Sequence, residues 1–362
     1  MPESSIVVRP EPVGSIRYTE SSRLQAAGLP AAIELFEKAA ATVPLPRAPQ
    51  PVVIADYGAS TGHNSLLPIC AAITKLRTRT RKEHAVLVAH TDIAENDFTA
   101  LFKTLADDPD SYLRHDAATF ASAVGRSFYH QILPSNSVTL GWSSWACHWL
   151  SRVPADVPGH VHVAGCDDET VKTAYARQAA HDWHEFIAFR GRELCPDGRL
   201  VVLTLGVGED GEFGFHALLE AVVSATGGLG ADGLLSDDEL RRCSIPIVGR
   251  SEEDFRAPFS PKGRFEGLSI EHLEIFHAED RFWKQYQADG DATAFGAQWA
   301  SFSRAAVFPA LASALDGGAA DPRRDEFLDR LESDTAAYLA AAPEPMLIPL
   351  ATVVLAKSSR AG

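Results

Sequence analysis

Two short stretches hold the residue types that could do chemistry. In Asp56-Tyr57-Gly58-Ala59-Ser60-Thr61-Gly62-His63-Asn64 an apolar run, Val52 to Ala55, stops at an acid, and a turn of small residues opens toward a helix expected over Asn64 to Leu76. Gly58 and Gly62 allow backbone conformations that let a ligand approach closely, and the C-terminal edge of a strand is where doubly wound sheets bind ligands. The spacing is not G-x-G-x-x-G and the acid precedes the glycines, which suits a nucleoside better than a pyrophosphate; a purely structural turn fits the same residues. Asp92 follows a second apolar run, Ala85 to Ala89. An acid there can grip ribose hydroxyls, or simply cap the next helix. The second stretch, Trp142-Ser143-Ser144-Trp145-Ala146-Cys147-His148-Trp149, sets three indoles and an imidazole directly after a strand. Taken alone, these read as core aromatics.

The elements that must position these residues follow a β-α-β-α rhythm. Short continuous apolar runs are typical of parallel strands covered on both faces. Phe98, Leu101, Phe102 and Leu105 recur at helical spacing within Ala94 to Leu105. Val138 to Trp142 reads as a strand and Val171 to Leu194 as a long helix. Arg199 to Leu205 reads as a strand introduced by the turn Cys195-Pro196-Asp197-Gly198. The economical fold is α/β, a doubly wound parallel sheet. After Gly206 the texture becomes helical: Phe215 to Ala225 and Asp237 to Cys243, separated by a Gly-rich bridge from Gly227 to Gly233. Ser269 to Phe276 reads as a returning strand, Asp280 to Leu315 and Asp325 to Ala342 as helix-rich, and Met346 to Ala356 as the closing strand. The expected division is a core of residues 1–205, 266–277 and 345–362, with a mainly helical cap of residues 206–265 and 278–344.

Composition narrows the partners. Across 362 residues, 33 Lys and Arg stand against 48 Asp and Glu, a net charge of −15 that would repel a phosphate backbone, so no nucleic-acid partner is expected. The five cysteines (Cys70, Cys147, Cys166, Cys195, Cys243) are scattered without a CxxC pair, which suggests neither a disulfide framework nor a zinc knuckle. The longest strongly apolar stretch, Met346 to Ala356, is about half of the roughly 20 residues a membrane helix needs. A cytoplasmic protein without a membrane partner is the expectation, with a homodimer left open. His160 and His162 with Cys166, and His181 with His184, lack a further ligand at recognisable spacing, so they read as surface or packing histidines.

Several separate motifs agree in order and spacing with one family. Ala55 to Asn64 (ADYGASTGHN), Asp92-Ile93-Ala94-Glu95-Asn96-Asp97-Phe98, Ser127-Phe128-Tyr129 and Ser143 to Ser151 (SSWACHWLS) resemble the SABATH family of S-adenosylmethionine-dependent methyltransferases, which act mainly on small carboxylic acids. Near the N-terminus, Tyr18 to Gln25 resembles the family's Tyr-x-x-x-Ser-x-x-Gln. The similarity is clear from Tyr18 to Leu205 and thinner beyond. It implies a Rossmann-like methyltransferase core with a helical cap, and S-adenosylmethionine as cofactor. Tyr18, Ser22, Asp56, Gly58, Asn64, Asp92, Ile93, Ser127, Phe128 and Ser143 match positions around that cofactor, Asp92 at the ribose and Ser127 with Phe128 at the adenine. Gln25, Trp145, His148 and Trp149 match the acceptor site, with Gln25, His148 and Trp149 as the candidate catalytic set. Phe215 and His216 stand at a further substrate-facing position.

The implied reaction is direct in-line methyl transfer to a carboxylate, giving a methyl ester. A free carboxylic acid, with a pKa near ~4, is already an anion at neutral pH and needs no general base. Positioning, desolvation and uncharged donors such as an indole N–H or an amide would supply the catalysis. Two departures from the family stand out. Arg241-Arg242-Cys243-Ser244-Ile245-Pro246 puts a cation where many relatives carry an acid that can hold a divalent metal, so no metal is expected. His216 replaces an aromatic of the salicylate-type relatives. The competing readings are a nitrogen methyltransferase on a small heterocycle, a nicotinamide-dependent dehydrogenase lacking its expected glycine motif, and a non-catalytic small-molecule binder.

Overall fold

The computed structural model describes residues 28–359. Within them, seven strands form one sheet: β1 (Val52–Tyr57), β2 (Val86–Asp92), β3 (Thr119–Gly125), β4 (Val138–Ser144), β5 (Leu194–Leu205), β6 (Leu268–His277) and β7 (Pro349–Lys357), in the order β3-β2-β1-β4-β5-β7-β6. The first five are parallel to one another, and β7 inserts antiparallel between β5 and β6. Strand order reverses between β1 and β4, so the crossovers leave in opposite directions and open a crevice at the C-terminal ends of these two strands. Both chemistry-bearing stretches begin there, one directly after β1 and the other across the end of β4.

Burial explains why the strands read so plainly. β1, β4 and β7 are covered on both faces, and Ile54, Leu140 and Val353 are wholly buried. The helix Leu29–Thr42, which the sequence reading leaves unassigned, lays Phe36 against Trp142, with ring centroids 5.0 Å apart. Trp142 is therefore a core aromatic. Under the other face, Trp183 and Phe186 of the long helix Glu169–Glu193 pack with Phe255 and Phe259. Residues 252–259, assigned to the cap from sequence, thus pack against the underside of the sheet.

The cap helices His216–Ala231, Arg281–Asp289, Ala292–Ala306 and Arg324–Ala341 surround Trp299, Phe295 and Leu331. Gly296 permits the closest crossing: a Cβ there would stand 2.2 Å from the Ala336 carbonyl oxygen. The expected Gly-rich bridge is in fact helical as far as Ala231. Leu229 is fully buried while Gly227 and Gly228 face open space, so packing of one face outweighs the poor helix propensity of glycine.

Three further expectations shift. The helix drawn from Ala94 starts at Phe98, capped by Asp97, whose side chain accepts from Ala100 N at 2.9 Å, and Phe102 is exposed rather than part of its inner face. The turn Cys195 to Gly198 lies within β5 as a register shift: Val138 pairs with Leu194, and pairing then resumes between Leu140 and Arg199. No described helix is long and apolar enough to cross a membrane.

Candidate active site

The crevice deepens into a cavity of about 230 Å³ walled by the ends of β1, β2 and β4 on one side and by cap helices on the other. Gly58, Ser60, Asp92, Ile93, Ser127 and Phe128 form one end of it. Gly58 has φ +85°, and a Cβ there would stand 2.3 Å from the Cβ of Ala146 and 3.5 Å from the Phe128 ring, so only glycine keeps this part of the wall open. Asp92 accepts from Ser60 N at 2.7 Å through one oxygen and from Ile93 N at 2.8 Å through the other. Asn96, which the sequence reading does not single out, donates to Ser60 O at 2.8 Å and closes the turn from the opposite side. With Asp97 capping the following helix, Asp92 has no capping role. Each of its oxygens keeps acceptor capacity, which fits a ribose diol, and the glycine-floored slot beside Phe128 fits a flat base. Burial, opposed by the two backbone N–H bonds, raises its pKa to about 6.

Three residues matched to the cofactor site are not among those that line the cavity. Asp56 is buried and bonded to His90 Nδ1 at 2.8 Å, and His90 Nε2 in turn meets the Tyr112 hydroxyl at 2.8 Å. Ser143 is buried and donates to Tyr57 O at 2.9 Å, tying β4 to the end of β1. Asn64 lies half-buried in the 3-10 turn His63–Ser65 and is not among the described residues that line the cavity. Tyr18, Ser22 and Gln25 lie outside the described residues.

The strap after β4 carries Trp145, His148 and Trp149 into the middle of the cavity. Trp145 is held at φ +55°, unusual for a bulky residue, by its N–H to Leu203 O at 2.9 Å. The His148 ring lies 6.0 Å from each neighbouring indole. Burial first, and the charge of Arg250 second, push the His148 pKa down to about 3, so its imidazole is neutral at physiological pH. Its Nδ1 lies 3.5 Å from the Thr204 hydroxyl. The strap therefore presents polar groups without a formal charge. Beyond it, Phe213, Phe215, Leu218, Val222, Ile247 and Phe302 make an apolar far wall.

Phe215 lines the cavity and His216 does not. Phe215 has φ +59° and turns its ring inward, whereas His216 opens the following helix on the exposed side, paired with Glu212 at 2.5 Å. Among the other aromatics of this region, Phe213 and Phe302 reach the cavity, while Trp299 and Phe308 are fully buried outside its lining. Ser60, Asn96 and Tyr129 lie within the quoted motifs without being named as site residues, and the aliphatic residues of the far wall escape the sequence reading.

Arg241 and Arg242 are engaged elsewhere: Arg241 pairs with Asp238, and Arg242 with Asp316 at 2.6 Å and the Ala314 carbonyl at 2.7 Å. Two cations fill the stretch that would need an acid to hold a metal. Turnover should therefore survive exhaustive dialysis against chelator; loss of activity that magnesium or zinc restores would contradict this.

A family model described as SAM dependent carboxyl methyltransferase matches residues 11–354. Among curated relatives, salicylate carboxymethyltransferase from Clarkia breweri is 28% identical over 250 residues, covering 66% of this chain and 67% of the relative. A 7-methylxanthine methyltransferase from Camellia ptilophylla is 25% identical over 314 residues, covering 83% and 84%. Among solved structures, loganic acid methyltransferase with SAH superposes with a TM-score of 0.74 over 97% of this chain and 99% of that one, at 21% identity, a likeness of fold. The chain belongs to the S-adenosylmethionine-dependent carboxyl methyltransferases, with S-adenosylmethionine as its cofactor.

Proposed function

We propose that this enzyme esterifies a monocarboxylic acid whose body is apolar, with the carboxylate held at His148 and Trp149 and the remainder against the far wall. The observation that carries this is the division of the cavity: the described polar groups sit at the Asp92 end and on the strap, and the cap side is hydrocarbon. When bound, S-adenosylmethionine supplies an electrophilic methyl group on a sulfonium. The protein's share is to orient and desolvate. Trp149 offers an indole N–H and His148 an uncharged imidazole. Neither brings a fixed charge that would compete with the cofactor's cation for the acid. A neutral His148 also fits an acceptor that is already ionised and has no proton to give up. Gln25 is proposed as a second donor to the carboxylate, and Tyr18 and Ser22 as further contacts of the cofactor.

A nitrogen acceptor is the second reading, favoured by the similarity to the methyltransferase named for 7-methylxanthine. A xanthine carries carbonyls around its rim, and the apolar far wall offers them few partners. We also propose a cytoplasmic location, consistent with five cysteines that are all free, and a homodimeric assembly, which sedimentation would test.

Matched acids test the substrate reading. An apolar acid should exceed its counterpart bearing a hydroxyl at the far end by roughly ten- to a hundredfold in kcat/KM, because the wall leaves that hydroxyl without a partner. Equal or better turnover of the hydroxylated acid would contradict it.

A further inference from the structure

The strap from Trp145 to Ser151 is pinned along most of its length. His148 O accepts from Val248 N at 2.9 Å and Trp149 O from the Tyr129 hydroxyl. Leu150 N donates to Pro246 O at 2.8 Å, and Ser151 donates to Asp182 through its N at 2.8 Å and its hydroxyl at 2.7 Å. Cys147 O is held by the Arg250 guanidinium, whose Nη1 stands 2.6 Å away. Arg250 is buried, and its Nη2 donates to Ala179 O of the long helix Glu169–Glu193 at 3.2 Å. Its Nε has no hydrogen-bond partner among the described residues, and none of their carboxylates forms an ion pair with it. Its guanidinium carbon lies 5.6 Å from the Trp183 ring. Burying a guanidinium without a paired carboxylate is costly, and the cation–π contact with Trp183 offsets only part of that cost. The retained charge therefore needs an account, and its two carbonyl bonds supply one. They lock the strap to the long helix at the residue directly before His148 and Trp149.

We propose that Arg250 is the positioning residue of the acceptor site, holding the Cys147 carbonyl so that His148 and Trp149 stand where they receive the substrate's carboxylate. This rests on the carboxylate reading above. Asp92 and the turn after β1, read above as the cofactor's contacts, make no bond to Arg250, so its loss should act chiefly on the acid.

Arg250→Met keeps the side chain's bulk and removes both carbonyl bonds; Arg250→Lys keeps one donor head. A displacement of about 1 Å at a reacting group costs roughly a hundredfold. The Met variant should lose acid kcat/KM by an order approaching that, while S-adenosylmethionine affinity by calorimetry stays within about threefold of the parent. The Lys variant should fall between them. Normal acid kcat/KM in a folded Met variant, or equal losses in cofactor affinity and acid turnover, would overturn the proposal. Should the Met variant fail to fold, the same split measured on the Lys variant decides. A parent enzyme that forms no ester from any acid overturns the carboxylate reading and this assignment with it, whereas a parent that forms ester and a Met variant that matches it overturns the assignment alone.

Discussion

Asp92→Ala weakens S-adenosylmethionine binding by at least roughly tenfold at neutral pH, and by about a hundredfold if both ribose hydroxyls are lost. Each charge-assisted bond contributes ~1.5–3 kcal/mol, and 1.4 kcal/mol is a factor of ten. The parent protein should also show a pH dependence that the variant lacks. Burial raises the Asp92 carboxyl to about 6, so its ionised, doubly accepting form is dominant above that pH and is lost below it. A cofactor that binds the ionised form must first displace the proton. Affinity should therefore fall by about tenfold per unit as pH drops well below 6, and the fall should be absent in Asp92→Ala. Calorimetric titrations of both proteins across this range check the two statements together. Unchanged affinity in a folded variant removes Asp92 from the cofactor site.

Trp149→Phe keeps an aromatic body on the strap and deletes one N–H. The indole lies in the cavity, but the backbone that places it is fixed by other bonds: its N–H to Ala146 O at 3.1 Å and its carbonyl to Tyr129. The ring should therefore stay near its position. If its N–H holds the carboxylate, kcat/KM for the acid falls by roughly ten- to a hundredfold, the cost of one bond to a charged oxygen. Cofactor affinity and melting temperature should stay near the parent's. A Trp149 that only fills space gives the opposite pattern, in which stability and cofactor affinity fall together while the remaining folded enzyme turns over normally. Measuring all three on one preparation separates the two roles.

Legibility follows burial. β1, β2, β4 and β7 lie mostly within the sheet's interior and carry continuous apolar runs, so they are readable; β3, an edge strand of the sequence TFASAVG with Phe120 exposed, carries no such run and escapes notice. The stretch Gly227 to Gly230 misleads because local propensity says nothing of Leu229 packing into the cap. In the site, Asp92, Phe128 and the strap are found through several motifs in register, which individual residue types could not have supplied. The same resemblance places Asp56, Asn64 and Ser143 around the cofactor; none of them lines the cavity, and Asp56 and Ser143 are buried with bonds to His90 and to Tyr57 O. His216 shows the limit most clearly: it is adjacent in sequence to a cavity residue, yet the start of a helix turns it outward. The apolar wall from Leu218 to Phe302 spans more than eighty residues of sequence and has no motif at all. Only the packing of the cap brings it to the strap. Arg250 is likewise invisible, since its meaning lies in two carbonyls, Cys147 and Ala179, far from it in the chain.

The most direct test of the central claim is the position of the transferred methyl group. The protein is incubated with methyl-labelled S-adenosylmethionine and a panel of apolar monocarboxylic acids, and the product is treated with mild alkali. Transfer to a carboxylate oxygen predicts that the label leaves as methanol, because an ester hydrolyses under those conditions. Label that remains fixed to the product through alkali, as on a nitrogen or a carbon, contradicts the account.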